Sequence, residues 1–374
     1  MRILQLGIDH PHGEMYRTTL ARHDAIELVG AYDPSPQLAR AMLAGEGVEI
    51  PVFDDMREAI AATVPDAALI TLPNDVTPDA IALAADHGLH IVAEKPCAVS
   101  AGAFLTAHER VRERGVAFVP AYLRRFSPVA TALRDLIDDG ILGELTAAQV
   151  HFVTTNVALR NATYLSGGSI ERVTTTAQPA ITPVHHEARH WLFDRARSGG
   201  GIMHWLGAHW LDLLRLASGD EFAHVTATLA TRTPVPIDVE DVASVTLEAR
   251  GGMVATVSCA YALRRGPDQV AIMIQGTEGW ATWDGVGPEL HVQSSHPEWR
   301  TAPTRTLRFD ADPLPGYSGM LGWELFERFR CAVEDGGSLP VGATDALRVL
   351  ELLDAIQASA HEHRRVAIEN GSSS

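Results

Sequence analysis

The first third of this chain alternates short apolar runs with helix-like stretches, and that alternation limits its fold more than any other feature. Ile3–Gly7, Ile26–Tyr32, Ala67–Leu72, His90–Ala93 and Val116–Val119 read as strands, with a further short one at Val52-Phe53. Between them, Gly13–Arg22, Gln37–Ala44, Asp55–Ala62, Pro78–His87 and Ala101–Arg114 read as helices. Repeated strand–helix units with short connections predict a doubly wound parallel sheet. Such sheets bind ligands beyond the carboxyl ends of their strands. Gly7, Asp33, Leu72-Pro73-Asn74 and Glu94-Lys95 all fall at those ends.

From about Leu145 the pattern changes. Ala147–Thr155, Ala223–Thr231, Ala243–Ala249, Met253–Ala260, Gln269–Gln275 and Trp280–Trp283 read as strands, most without helices between them. Gly251-Gly252 joins two of them as a hairpin turn. The expected fold class is therefore α/β, with an N-terminal Rossmann domain (1–121) and a C-terminal α+β domain (122–370) built on a large, mostly antiparallel sheet. Helices are expected at Ile202–Leu216, Leu321–Val333 and Thr344–His363. Residues 371–374 read as a tail or an appended scar.

The net charge of −17 excludes the phosphate neutralisation on which nucleic-acid binding depends, and it disfavours anionic membranes. No apolar run reaches membrane-spanning length. Strand-like sequence begins at Arg2, which argues against a signal peptide and for a cytoplasmic enzyme. The three cysteines are scattered and suggest neither disulfides nor a zinc ribbon.

The turn Gly7-Ile8-Asp9-His10-Pro11-His12-Gly13 sits where a dinucleotide fold wants G-x-G-x-x-G, but Asp9 and His12 fill the second and third glycine slots. The Asp9 carboxylate would repel a pyrophosphate unless it paired with His10 or His12; as an alternative it caps the first helix. Asp33 either accepts from the adenosine ribose, favouring NAD over NADP, or serves the Asp-Pro-Ser-Pro turn.

Lys95 is the only lysine in the chain. Where arginine has replaced lysine everywhere else, a surviving lysine marks a place for a compact cation of tunable pKa, unless it survives by chance. Three glycines (Gly199 to Gly201) open an apolar helix in which Trp205, His209 and Asp212 share one face at α-helical spacing. His209 with Asp212 one turn on is either an acid–base group or a core histidine satisfied by that acid. His186-Glu187-Ala188-Arg189-His190 matches the zinc-protease pattern H-E-x-x-H, but nothing else of such an enzyme is present. No metal is expected, and these residues better suit a polar loop lining a substrate pocket.

Together, Ala93-Glu94-Lys95-Pro96, Tyr122-Leu123-Arg124-Arg125-Phe126-Ser127-Pro128, the triple-glycine helix ending His-x-x-Asp and Ile274-Gln275-Gly276-Thr277-Glu278-Gly279 resemble the glucose–fructose oxidoreductase/inositol dehydrogenase (Gfo/Idh/MocA) family. The resemblance runs from Met1 to about Ile368. It implies a nicotinamide-dependent oxidoreductase acting on a secondary alcohol or ketone of a sugar, glycoside or cyclitol. It also implies an open-faced C-terminal sheet that often assembles homodimers or homotetramers.

By the same resemblance, Lys95 matches the active-site lysine and His209 the acid–base histidine. The implied cofactor residues are Gly7, Asp9, His10, His12, Asp33, Leu72, Pro73, Asn74, Glu94 and Lys95. The implied substrate residues are Tyr122, Arg124, His186, Trp205 and His209. Two departures stand out: the incomplete glycine turn, and tryptophan at position 205, where the family commonly has aspartate. Other readings are a lyase or glycosidase whose bound NAD is oxidised and restored each cycle, and a non-catalytic NAD-binding regulator.

Overall fold

The computed structural model describes residues 1–165, 189–263, 267–310 and 314–369. They form two compact units. The first comprises Met1–Leu123, Ala158–Gly200 and Pro313–Leu350, and the second Arg124–Val157, Gly201–Asp312 and Glu351–Ser374.

The first unit is built on β1 (Arg2–Leu6), β2 (Glu27–Tyr32), β3 (Val52–Phe53), β4 (Ala67–Ile70), β5 (His90–Ala93) and β6 (Phe118–Pro120). Their order is β3-β2-β1-β4-β5-β6, and every pairing is parallel. β4 is buried along its whole length and β5 along all but its first residue, as sheet strands covered on both faces must be. Helix starts follow local chemistry. Asp55 accepts from the Glu58 amide at the head of Met56–Thr63, and Ser100 from the Ala103 amide at the head of Ala101–Arg114. The strand order reverses between β1 and β4, and the turns after β1 and β4 therefore lie at the switch point where this fold accepts ligands.

The second unit carries a nine-stranded sheet: β7 (Leu145–Thr155), β8 (Phe222–Ala230), β9 (Val242–Ala249), β10 (Val254–Leu263), β11 (Gln269–Gly276), β12 (Gly279–Trp283), β13 (Glu289–Ser294), β14 (Thr304–Arg308) and β15 (Val366–Ala367). The order is β14-β13-β12-β11-β7-β10-β9-β8-β15. All neighbours are antiparallel except β7 and β10, which pair in parallel, so the sheet is mixed. The Gly251-Gly252 hairpin joins β9 to β10 as expected, closed by the Ala249 amide on the Met253 carbonyl at 2.8 Å. Burial alternates along β7 and β10, the signature of a sheet with one covered face. Helices Pro128–Asp138 and Ala208–Ser218 pack on each other, and the latter lies against β7.

Candidate active site

The turn after β1 is shaped by close backbone approach. Gly7 has φ +95°, and a Cβ there would sit 2.5 Å from the Thr71 carbonyl oxygen. At Gly13 a Cβ would come 2.7 Å from the Ile8 carbonyl oxygen. The turn thus keeps a second space-demanding glycine, one position beyond the pattern it was matched against. Asp33 ties the turn down. Its Oδ2 accepts from the Ile8 amide at 2.8 Å and the Asp9 amide at 3.4 Å, and its Oδ1 from the Ser35 amide at 2.8 Å.

Asp9 does not cap the first helix. Gly13–Leu20 begins after His12, which makes no side-chain capping bond. Burial, then the neighbouring Asp33 charge, raise the Asp9 carboxyl above its ordinary range. His10 and His12 look inward, away from the role of neutralising Asp9. His10 Nδ1 accepts from the His12 amide at 3.1 Å, and His12 Nδ1 lies 3.3 Å from Glu94 Oε1. Burial lowers both imidazoles against the opposing charge of Glu94. After β4, Leu72 is buried and its carbonyl, with that of Pro73, accepts from the Thr77 hydroxyl. Asn74 donates to the Ser198 carbonyl at 2.8 Å.

Glu94 and Lys95 follow β5, both inaccessible at 3% and 0% exposure. Tyr16 donates to Glu94 Oε2 at 2.5 Å and Tyr317 to Oε1 at 3.3 Å, while Lys95 Nζ stands 3.8 Å from Oε1. Burial alone would raise the Glu94 carboxyl; His12, Lys95 and His10 overcome it and hold the group well below the usual carboxylate range. Burial draws Lys95 down to about 8 against the opposing pull of Glu94. Arg160, 1% exposed, adds a second cation whose charge also lowers Lys95, and its Nη1 donates to the Tyr164 hydroxyl at 2.9 Å. Sequence reasoning missed Tyr16, Tyr317 and Arg160.

Tyr122 belongs to the first unit and is fully buried. His186 lies outside the described residues, as does Glu187. Of that H-E-x-x-H pattern His190 is described. It is a buried core group whose backbone amide donates to Asn161 Oδ1 at 2.8 Å and whose imidazole is lowered to about 3, first by burial. Among the described residues no cluster of His, Cys, Asp or Glu is placed to hold a metal.

In the second unit, the α-helical spacing expected between Trp205 and His209 is interrupted. Met203–Gly207 is a π-helix, and the α-helix Ala208–Ser218 starts after it. The π turn has more residues per turn than an α-helix, so α-helical counting does not carry across Gly207. Gly201 sits so close to Glu240 that a Cβ would meet its carbonyl oxygen, and Glu240 accepts from the Ile202 amide at 3.0 Å through that oxygen and from the Met203 amide at 3.2 Å through Oε1. Trp205 is 3% exposed. Asp212, fully buried, takes two bonds from Arg125, Nε to Oδ2 at 2.9 Å and Nη2 to Oδ1 at 2.8 Å. Arg124 lies over the Trp210 ring at 5.2 Å and near that of Trp283 at 6.0 Å.

Residues 6–122 match the model of an oxidoreductase family with an NAD-binding Rossmann fold, and residues 130–282 match the GFO/IDH/MocA C-terminal domain. The chain belongs to the Gfo/Idh/MocA family. It is an oxidoreductase, and its first unit carries the family's NAD-binding fold. Inositol 2-dehydrogenase of Rhizobium meliloti (strain 1021) is 26% identical over 361 residues, 95% of this chain and 96% of its own. Levoglucosan dehydrogenase of Pseudarthrobacter phenanthrenivorans is 23% identical over 326 residues, 78% of this chain and 77% of its own. A solved levoglucosan dehydrogenase with NADH and levoglucosan shares the fold, with a TM-score of 0.80 at 21% identity and 99% of both chains covered.

Proposed function

We propose that this family member is an NAD-dependent dehydrogenase that oxidises a secondary alcohol, or reduces the matching ketone, of a sugar, glycoside or cyclitol. One observation carries the reading: the chain's only lysine is completely buried beside an ionised Glu94, at the carboxyl end of a central parallel strand, with its pKa drawn down to about 8. A buried cation of this kind suits an oxygen on which charge develops.

The turn from Gly7 to Gly13 is shaped by the close packing of its two glycines on the protein's own backbone, with Asp33 at its edge to accept from a ribose and to repel a 2′-phosphate. Leu72, Pro73, Asn74 and Glu94 line the nicotinamide end in this reading. Hydride donation or acceptance is the chemistry that a nicotinamide bound there supplies. Lys95 holds the charge on the substrate oxygen as its proton leaves or returns, and His209 takes or gives that proton. Tyr122, Arg124, His186 and Trp205 complete the proposed substrate contacts. A cytoplasmic homodimer or homotetramer assembled through the nine-stranded sheet belongs to the same proposal, and light scattering on the purified protein tests the assembly.

The deciding experiment incubates purified protein with NAD and a panel of inositols, free sugars, glycosides and anhydrosugars. The proposal requires stoichiometric net NADH with at least one of them. Product without net NADH would instead show an enzyme that recycles its cofactor, and binding without any turnover would show a regulator.

A further inference from the structure

β1 carries a polar side chain where a parallel strand covered on both faces has no need of one. Gln5 is fully buried, and its carboxamide is engaged at each end. Arg17 Nη1 donates to Oε1 at 3.2 Å, while Nε2 donates to the Gly7 carbonyl at 3.1 Å and to Thr71 Oγ1 at 3.0 Å. The Thr71 hydroxyl donates in turn to the same Gly7 carbonyl at 2.5 Å. A guanidinium can only donate, so Arg17 fixes which end of the carboxamide faces Gly7. Arg17 is itself 4% exposed and is gripped by Glu46, Nε to Oε2 at 2.6 Å and Nη2 to Oε1 at 2.5 Å. The chain Glu46–Arg17–Gln5 ends on one peptide plane. The Gly7 carbonyl takes two donors, and the Ile8 amide on the other edge of that plane donates to Asp33 Oδ2 at 2.8 Å. The guanidinium also lies beside the far end of the turn, where a Cβ on Gly13 would stand 3.1 Å from Arg17 Nη1.

We infer that Gln5, oriented by Arg17, is a positioning residue for the cofactor: it fixes the Gly7–Ile8 peptide plane, and with it the path of a turn in which Asp9 and His12 occupy two of the three glycine places. The inference rests on the reading of Gly7 to Gly13 as the dinucleotide turn. The physical argument is preorganisation. Gly7, at φ +95°, has the backbone freedom of a glycine, and hydrogen bonds at both edges of its peptide plane take that freedom away before any ligand arrives. Without the carboxamide, Thr71 alone holds the carbonyl, and the turn must be ordered at the expense of binding. Stability is a separate quantity. Leucine at position 5 restores an apolar strand, so the loss should appear in the order of the turn and in affinity more than in unfolding.

Two measurements on the full chain test this: hydrogen exchange of residues 7–13 without cofactor, and fluorescence titration with NADH. Gln5→Leu should speed exchange in that segment and raise the NADH dissociation constant about tenfold, the scale of a buried hydrogen bond lost. Exchange in the helix Ala101–Arg114 should not change. Gln5→Glu keeps an acceptor for Arg17 but turns an oxygen towards the Gly7 carbonyl, and it should weaken NADH at least as much. A residue present only to satisfy Arg17 would tolerate glutamate, and wild-type NADH affinity in Gln5→Glu therefore overturns the inference. Thr71→Val removes the second donor to the Gly7 carbonyl; it should act in the same direction and is read in place of a Gln5 variant that does not fold. Unchanged exchange in residues 7–13 also overturns the inference, whatever the affinity does. Failure of the underlying reading looks different: faster exchange with unchanged NADH affinity in every variant would show that the network orders the turn but that the turn does not hold the cofactor.

Discussion

Glu94 in the first unit and Asp212 in the second are both withdrawn from solvent, at 3% and 0% exposure, and both face a cation. The cations differ in kind. Arg125 grips Asp212 with two bonds at 2.8 and 2.9 Å, and Arg215 stands 3.9 Å away. A guanidinium fork matches a carboxylate in shape and stays charged whatever surrounds it, so the pair is closed. Lys95 stands 3.8 Å from Glu94 Oε1, and two phenols donate to the same carboxylate. An ammonium is a point charge with rotatable donors, and burial tunes its pKa. One carboxylate is therefore clasped by a guanidinium fork, and the other stands beside an ammonium whose pKa burial lowers. The bonds from Arg125 to Asp212 are ones that the i, i+3 spacing of His209 and Asp212 does not reveal.

The largest expected effect lies on the closed pair. Arg125→Ala takes from the buried Asp212 carboxylate the guanidinium that grips it, and breaking a buried ion pair by removing one partner costs about 3–5 kcal/mol. Denaturant unfolding should show a loss near the lower end of that range because Arg215 compensates in part. Arg125→Lys should recover only some of it, since a point charge cannot make both bonds. A loss below roughly 1 kcal/mol, the level of an exposed pair, would erase the contrast.

At the open pair the effect should fall on chemistry and not on stability. Lys95→Ala and Lys95→Arg should each lower turnover by roughly a hundredfold or more, the scale of a lost preorganised contact to developing charge. Arginine keeps the charge but is longer, planar and unable to titrate near neutrality, so it should rescue little. The pH dependence has a definite sign. Burial has drawn Lys95 down to about 8, so the ammonium is present below that pH and lost above it; alkoxide stabilisation by Lys95 should decline as pH climbs through about 8. Near wild-type turnover in Lys95→Arg would show that any cation serves, and the two pairs would then differ in geometry alone.

The two pairs were unequally legible before the structure. Glu94 and Lys95 could be found because a parallel fold places strand ends together, and because a solitary lysine stands out in an arginine-rich chain. Their surroundings could not. Tyr317 reaches Glu94 across 223 residues, and no local pattern ties Gly316-Tyr317 to the first helix. Arg160 reads as an ordinary residue of Val157–Leu165, a helix the periodicity did not reveal. The π turn at Met203–Gly207 follows Gly201, whose close approach to Glu240 is a tertiary contact that α-helical counting cannot anticipate. The edge strand β14 was missed because its exposed alternation, Thr-Arg-Thr-Leu-Arg, carries too little apolar signal. The parallel pairing of β7 with β10 joins strands far apart in the chain, where hairpin reasoning predicts only antiparallel neighbours.

Asp33 is a third acid that tests how far the comparison reaches, and the smallest effect is expected there. It is buried like the other two, but its partners are backbone amides, those of Ile8, Asp9 and Ser35, and among the described residues no cation is paired with it. A carboxylate offers about four acceptor sites, so these bonds leave capacity for a ribose hydroxyl. Its charge should repel a 2′-phosphate, and the proposed preference for NAD over NADP follows. Two substitutions separate charge from anchoring. Asp33→Asn removes the charge but keeps one acceptor for the turn, whereas Asp33→Ala removes both. If the charge sets the preference, fluorescence titration should show the gap between NAD and NADP narrowing in both variants by a similar factor, with NADP gaining affinity. Thermal stability should then drop further in Asp33→Ala, because three backbone amides lose their acceptor. If instead both cofactors weaken equally in each variant, Asp33 acts only through the turn, and the acid in this chain that tells the two cofactors apart must be sought elsewhere.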